Sequence, residues 1–241
     1  ANYLLQNKPN AKVAILFQND DYGKDYVNGF KDALGDKAKS MIIAEQSYEV
    51  TDATIDSQIV NLKASGADTF FNVTIPKFAA QAIRKSFDIG WKPLHLLNQV
   101  SASNRTLKTA GYEKSQDILT TTYMKDSTDP TWKDDAEYKD WLAFMNKWYP
   151  TGDKSNVFNG YAYAVAQTMH KALEMCGDKL TRENLMKQAA SIRDFRAKML
   201  LPGITINTSP DDFYPIEAMQ MQKFKGEKFK RFGEIVRAES S

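Results

Sequence analysis

The chain has 241 residues, 42% of them apolar, which is enough for one large α/β domain or two smaller ones with a real core. Its 32 Lys and Arg nearly cancel its 30 Asp and Glu, and a formal charge of +2 excludes the basic footprint of a nucleic-acid or anionic-membrane binder. The single cysteine excludes an internal disulfide and a thiolate metal cluster, and no apolar run reaches the roughly 20 residues that cross a bilayer, so direct membrane insertion is not expected.

In chain order, the opening ANYLLQNKPNAK lacks the charged, apolar and small-residue regions of a signal peptide, so any export signal is expected to be gone already. KVAILFQ (12–18) predicts a buried strand, and YGKDYVNGFKDALG (22–35) a helix stopped by Gly35. SMIIAEQSYE (40–49) predicts a second strand. Ile55, Ile59 and Leu62 then mark a helix closed by Gly66. DTFFNVT (68–74) is a third strand, followed by a helix over 76–90 with Pro76 in its first turn and Ala79, Ala82, Ile83 and Phe87 on one face. PLHLLNQ (93–99) and DILTTTY (117–123) predict strands four and five, with a short helix near 103–110 between them. This alternation argues for parallel strands joined by helical crossovers.

After residue 123 the polar, proline-bearing MKDSTDPTWKDD has the composition of a segment that leaves one domain for another. Three helical patterns follow. Tyr138, Trp141, Leu142, Met145, Trp148 and Tyr149 form one stripe, and Tyr161, Val165, Thr168, Met169 and Ala172 a second; both read as core in preference to a cofactor site. The third pattern, TRENLMKQAASI (181–192), starts on a Thr N-cap. The segment 199–215 reads as a loop with one short strand, and 216–236 as a β-hairpin turning at Lys225 and Gly226. Cys176 closes the second pattern as a packed thiol, while His95 on a strand and His170 on a helix have no second ligand at metal spacing.

The turn QNDDYGK stands where a parallel sheet presents its ligands, at the carboxyl end of a strand. With one glycine and two carboxylates it does not suit a pyrophosphate. A receiver-type Mg²⁺ pocket would need a further acid after the third strand, which runs out as FFNVTIP. Two readings remain for Asp20 and Asp21: capping of the helix, or a metal-using enzyme site. Tyr22, on the first helical turn, can offer ring and hydroxyl to a small molecule. No G-x-S-x-G, H-E-x-x-H or G-K-[ST] motif occurs, which points away from an enzyme, and no cofactor is implied.

KVAILFQNDDYGKDYVNGFKDAL, QSYEVTDATIDSQIVNLKASGAD, PKFAAQAIRKSFDIGWKP, GYAYAVAQTMHKAL and LLPGITINTSPDDFYPIEAMQMQKFKGEKF together resemble the periplasmic substrate-binding proteins of branched-chain amino acid type ABC transporters. The likeness runs over essentially the whole chain. It implies an α/β fold in which residues 1–123 and 216–241 are the second Rossmann-like lobe and 124–215 a mostly helical part of the first lobe. The opening βαβ units of that first lobe have no counterpart, which would leave apolar surface on the helices of 138–149 and from 156 uncovered.

By position, the resemblance puts ligand contacts at Tyr22, at Thr74, Ile75 and Pro76 in the loop after the third strand with Asn72 just below, and at Gln99 after the fourth. Phe158 and Tyr161 resemble positions that wall the family's pocket, with ordinary core packing as the competing reading. Amino-acid binders of the family present an acid where Gln99 stands, so the amide puts an α-amino acid ligand in doubt and suits an uncharged polar group or a carboxylate. The implied function is a periplasmic solute binder, monomeric when complete, that passes a small organic ligand to ABC permease subunits. A ligand-sensing domain of a receptor or regulator is the alternative.

Overall fold

A computed structural model describes residues 1–237; the last four residues of the segment 216–241 lie outside them. The described chain forms two compact units. One is Ala1–Thr121 with Gln222–Arg231, the other Thr122–Met221 with the chain from Phe232 onward.

The first unit alternates helices and strands: α1 (Asn2–Asn7), β1 (Val13–Gln18), α2 (Asp21–Leu34), α3 (Ala38–Met41), β2 (Ile42–Tyr48), α4 (Asp56–Ala64), β3 (Thr69–Val73), α5 (Pro76–Asp88), β4 (Leu94–Leu97), α6 (Asn104–Ala110) and β5 (Leu119–Thr122). After the second unit's helices, α7 (Ala136–Trp148), α8 (Val157–Met175) and α9 (Arg182–Ala189), come β6 (Ala218–Lys225) and β7 (Lys228–Arg237). The sheet runs in the order β2-β1-β3-β4-β5-β6-β7, and its pairs from β2 to β5 are parallel.

Strand β1 is an interior strand, paired with β2 and β3, and its side chains are buried on both faces, as a parallel strand under two helical layers requires. Val13 and Ile15 join Val27, Phe30 and Leu34 of α2 on one face. Ala14 and Leu16 join Ile59 and Leu62 of α4 and Phe78 and Ala82 of α5 on the other, following the strand's two-residue period. A third apolar group links Ile83, Leu97, Leu107 and Ile118 with Phe224 and Phe229 of the β6–β7 hairpin.

Helix α2 ends at Gly35, whose φ of +56° is a left-handed value that glycine adopts without a Cβ clash. At the other end of α2, Gly23 is required for a different reason. A Cβ placed there would lie 1.9 Å from the Gln18 carbonyl oxygen, so only glycine lets the helix start directly against the end of β1.

Several expectations are corrected by packing. The chain stays helical through Met41, whose side chain fills the core under α2, and β2 begins only at Ile42. Residues 1–12, in which no element is predicted, carry α1, anchored by the buried Leu4. On α5, Ser86 occupies the buried face, and Phe87 is exposed with its ring 5.3 Å from the Lys114 ammonium. The strand expected in 199–215 is absent; only isolated bridges occur, Phe195 with Ile206 and Ser209 with Asp212 among them.

In the second unit the helix starts follow their caps: Asp135 accepts from the Tyr138 N–H at 2.8 Å, Asn156 from Phe158 at 3.0 Å and Thr181 from Asn184 at 3.2 Å. Of the stripe on α7, Trp141 and Met145 are core, but Trp148 and Tyr149 are exposed. On α8 the expected stripe holds at Ala172, which is buried, and at the partly buried Thr168, but not at Tyr161, Val165 and Met169. Gly160, Ala164 and Ala172 face the core while Tyr161, Val165 and Met169 are exposed, because small residues let the helix backbone approach Met199 and Met124. Lys125, with a wholly buried side chain, bonds Asp135 at 2.7 Å and Glu137 at 2.6 Å. Burial alone would raise Asp135, but the Lys125 ammonium, the Tyr138 N–H and Arg196 hold it below its ordinary value.

Two measurements test this packing. Gly23→Ala is expected to cost about 3 kcal/mol or more in urea unfolding, because the obstacle is backbone; a loss below about 1 kcal/mol would refute the close approach. His95, partly buried in β4 against Phe70 with ring centroids 4.7 Å apart, is driven down to about 3 by burial, against 6.5 in the unfolded chain. Between those values the unfolded chain binds a proton that the folded protein refuses, so this contribution to stability falls as pH falls through that window. The gap in unfolding free energy between wild type and His95→Gln should therefore move against wild type by up to about 1.4 kcal/mol per pH unit below about 6.5, and a pH-independent gap would overturn this.

Candidate functional site

The carboxyl ends of β1, β3 and β4 in the first unit carry a connected set of polar side chains. Strand β1 ends on Gln18, and Asp20 caps α2 with one carboxylate oxygen, which accepts from the Gly23 N–H at 3.1 Å; the other accepts from Gln18 Nε2. Asp20 thus serves as the helix cap, and Asp21, the first helical residue, is exposed. Among the described residues no three His, Cys, Asp or Glu side chains converge as a metal site.

Tyr48, at the end of β2 and in register with Gln18, joins two loops. Its hydroxyl donates to Gln18 Oε1 at 3.0 Å and accepts the Ile75 N–H at 3.1 Å. Burial pushes this phenol up to about 12, so it keeps its proton. Near the end of β3, the buried Asn72 accepts from the Thr74 hydroxyl at 2.7 Å, and its Nδ2 lies 3.1 Å from His95 Nε2. Because the amide nitrogen can only donate, His95 Nε2 is the acceptor and the neutral ring carries its proton on Nδ1. The Ser101 hydroxyl donates to the Thr74 carbonyl, and the Asn98 N–H to the Asn72 carbonyl at 3.1 Å, so the loops after β3 and β4 are tied together.

Tyr22 stands on the first turn of α2, half-buried, with its ring edge-on to Tyr26 at 5.3 Å. Burial first, then the neighbouring Tyr26, Tyr48 and Asp20, push its pKa above the ordinary tyrosine value. Its hydroxyl oxygen receives Asn98 Nδ2.

The structure therefore brings Tyr22, Asn72, Thr74 and Ile75 into one rim. Asn72 and Thr74 are fully buried and bonded inside it, and Pro76 opens α5 beside Ile75. Gln99 starts a 3-10 turn after β4 and is partly buried; the side chain that meets Tyr22 is Asn98, one residue earlier. Phe158 and Tyr161 belong to the second unit, on the first two turns of α8, and both are exposed. Gln18, Tyr48, Asn98 and Ser101 were not singled out in the sequence. Their one signal is shared position: Gln18, Tyr48 and Asn98 are polar residues at or just past the ends of neighbouring strands.

Chemically the rim holds protonated phenols, carboxamides, hydroxyls and a neutral imidazole. Its one carboxylate is occupied in a cap, and its imidazole is bonded to Asn72. Such a set can donate and accept hydrogen bonds.

A model of the family described as periplasmic binding protein matches residues 1–228. No curated protein shows significant sequence similarity. Among solved structures, the chain is similar to a branched-chain amino acid ABC transporter protein from Thermus thermophilus with bound valine (TM-score 0.81, 15% identity, 98% of this chain and 63% of that one). It is also similar to an extracellular ligand-binding receptor from Rhodopseudomonas palustris (TM-score 0.75, 19% identity, 96% of this chain and 66% of that one). A fatty acid ABC transporter substrate-binding protein from Thermomonospora curvata gives a TM-score of 0.73 at 21% identity, over 99% of this chain and 61% of that one. At these identities the likenesses show the fold, and the chain spans less than two thirds of each structure's length. With that fold, the matched residues 1–228 and the polar rim at its strand ends, the chain belongs to the periplasmic binding protein family.

Proposed function

We propose that this chain belongs to the extracytoplasmic solute-binding component of an ABC transporter, which captures a small organic ligand and delivers it to the permease. The observation that carries this reading is the rim itself: a proton-keeping phenol on the first turn of α2, tied to a buried carboxamide at the end of β4, with every surrounding loop braced by hydrogen bonds. A site braced before the ligand arrives loses little conformational freedom on binding. No helix among the described residues is long and apolar enough to cross a membrane, which fits a component that works beside a separate permease.

In this reading the first unit is the family's second lobe, and the second unit belongs to the first lobe. Tyr22 is the central ligand contact, with Ile75, Pro76 and Gln99 as further contacts on the first unit. Asn72 and Thr74 act by holding the loop after β3 in place. Phe158 and Tyr161 are carried over from the family resemblance alone. The ligand class is amino acid-like, aromatic or aliphatic carboxylates, the location periplasmic and the working form monomeric. A sensing role uses the same fold: neighbouring permease and ATPase genes support transport, whereas fusion to a membrane-spanning or DNA-binding segment supports sensing.

Thermal melts of the full-length protein against a panel of amino acids, aromatic acids and fatty acids should show at least one stabilising solute. Tyr22→Phe is expected to weaken its binding by roughly tenfold through loss of one hydrogen bond, and Tyr22→Ala by more. A panel in which no solute raises the melting temperature, or a Tyr22→Ala variant that binds as tightly as wild type, would sink the proposal.

A further inference from the structure

Tyr48 is out of a solute's reach. It is 2% exposed, and its ring packs on Phe78 with centroids 4.4 Å apart. Its hydroxyl stands inside a chain of hydrogen bonds whose directions are fixed by the chemistry of both ends. The Asp20 carboxylate only accepts, so Gln18 turns its Nε2 toward it and its Oε1 toward Tyr48. The Ile75 main-chain N–H only donates, so the phenol takes that bond on its oxygen at 3.1 Å and gives its own proton to Gln18 at 3.0 Å. The chain therefore runs from the cap of α2 to Ile75, the N-cap residue of α5, whose own side chain makes no cap bond. The Ile75 carbonyl accepts from Phe78 and Ala79 at 3.0 and 2.9 Å, and the Thr74 carbonyl from the Ser101 hydroxyl. Ser101 thus ties this loop toward β4, and Tyr48 ties it toward β1 and β2.

Resting on the solute-binding reading above, we propose that Tyr48 is a positioning residue of the site: without touching the solute, its hydroxyl sets affinity by holding the loop after β3 at a fixed spacing from the start of α2. Tyr22 stands on the first turn of α2, and Ile75 and Pro76 at the start of α5, so contacts drawn from both helices are complete only while the two starts keep that spacing. Burial keeps the phenol protonated, and the chain keeps its direction. Phenylalanine at 48 fills the same space but leaves Gln18 Oε1 and the Ile75 N–H without their partner. The loop then samples other arrangements, and the apparent affinity falls with the fraction of molecules in which it stays in place.

The test compares Tyr48→Phe with Ile118→Val in the full-length protein. Ile118 is buried just before β5, at the opposite end of the sheet from the rim, so its variant loses stability without touching the loops. In amide hydrogen exchange without solute, the Ile75 N–H should exchange about tenfold or more faster in Tyr48→Phe, and in Ile118→Val no faster than the loss of global stability requires. Calorimetric titration then uses L-leucine, 4-hydroxybenzoate and octanoate, with any further acid of the panel that raises the melting temperature. Each acid that wild type takes up should bind Tyr48→Phe about five- to tenfold more weakly, and Ile118→Val within about twofold of wild type. An Ile75 N–H that exchanges at the wild-type rate in Tyr48→Phe, an unchanged affinity there, or an equal loss in Ile118→Val overturns the inference while leaving solute binding intact. If wild type takes up none of these acids and no solute of the wider panel, solute binding itself fails and the inference falls with it.

Discussion

Helix α2 begins in contact with the last carbonyl of β1, and the absence of a side chain at Gly23 makes that contact possible. The consequences run outward from there. With the helix start pressed onto the strand end, Asp20 is within reach of the Gly23 N–H and of Gln18 together, so a single carboxylate both caps the helix and holds the last side chain of the strand. Gln18 in turn takes the Tyr48 hydroxyl, and Tyr48 takes the Ile75 N–H. The order of the loops around the sheet's carboxyl edge thus depends on a steric allowance at one residue, and Tyr22, its neighbour in sequence, is held half-buried where its hydroxyl meets Asn98.

The electrostatic character of the edge follows from the same burial. Tyr22 and Tyr48 have pKa values raised by desolvation and His95 has one lowered, so three titratable groups are all driven toward their neutral forms. Apart from the Asp20 carboxylate, which is spent on Gln18 and the helix cap, these groups offer donors, acceptors and shape in place of charge.

Much of this architecture was legible in the amino-acid order. Strands of continuous apolar residues, helix stops at Gly35, Gly66 and Gly90, the Asp and Thr caps and the hairpin turn are local signals that tertiary packing had no reason to override. The errors arise where two faces of a helix are equally apolar or where a residue's role is set by a distant partner. Helix α8 can bury either Tyr161, Val165 and Met169 or Gly160 and Ala164, and close approach of Gly160 to Met199 selects the small residues, a contact that periodicity cannot reveal. Phe87 reads as core by spacing, but a position one residue earlier faces the sheet. Likewise Asn98 and Gln99 are two adjacent amides after an apolar strand, and only the turn geometry decides which one reaches Tyr22.

In the second unit, Lys125 is bound by Asp135 and Glu137 with its ammonium shielded from water, and Asp135 also caps α7. One side chain therefore couples the strand-like segment at 124–125, which bonds to Met199, to the start of a helix ten residues on. An arrangement of this kind is screened little by salt, and its buried Lys125 ammonium keeps one carboxylate if the other is lost, while Glu137 is also bonded by Arg196 at 3.0 Å. Among relatives that share this segment, loss of the cation at 125 should bring a change at 135, whereas an acid at 137 can persist on Arg196.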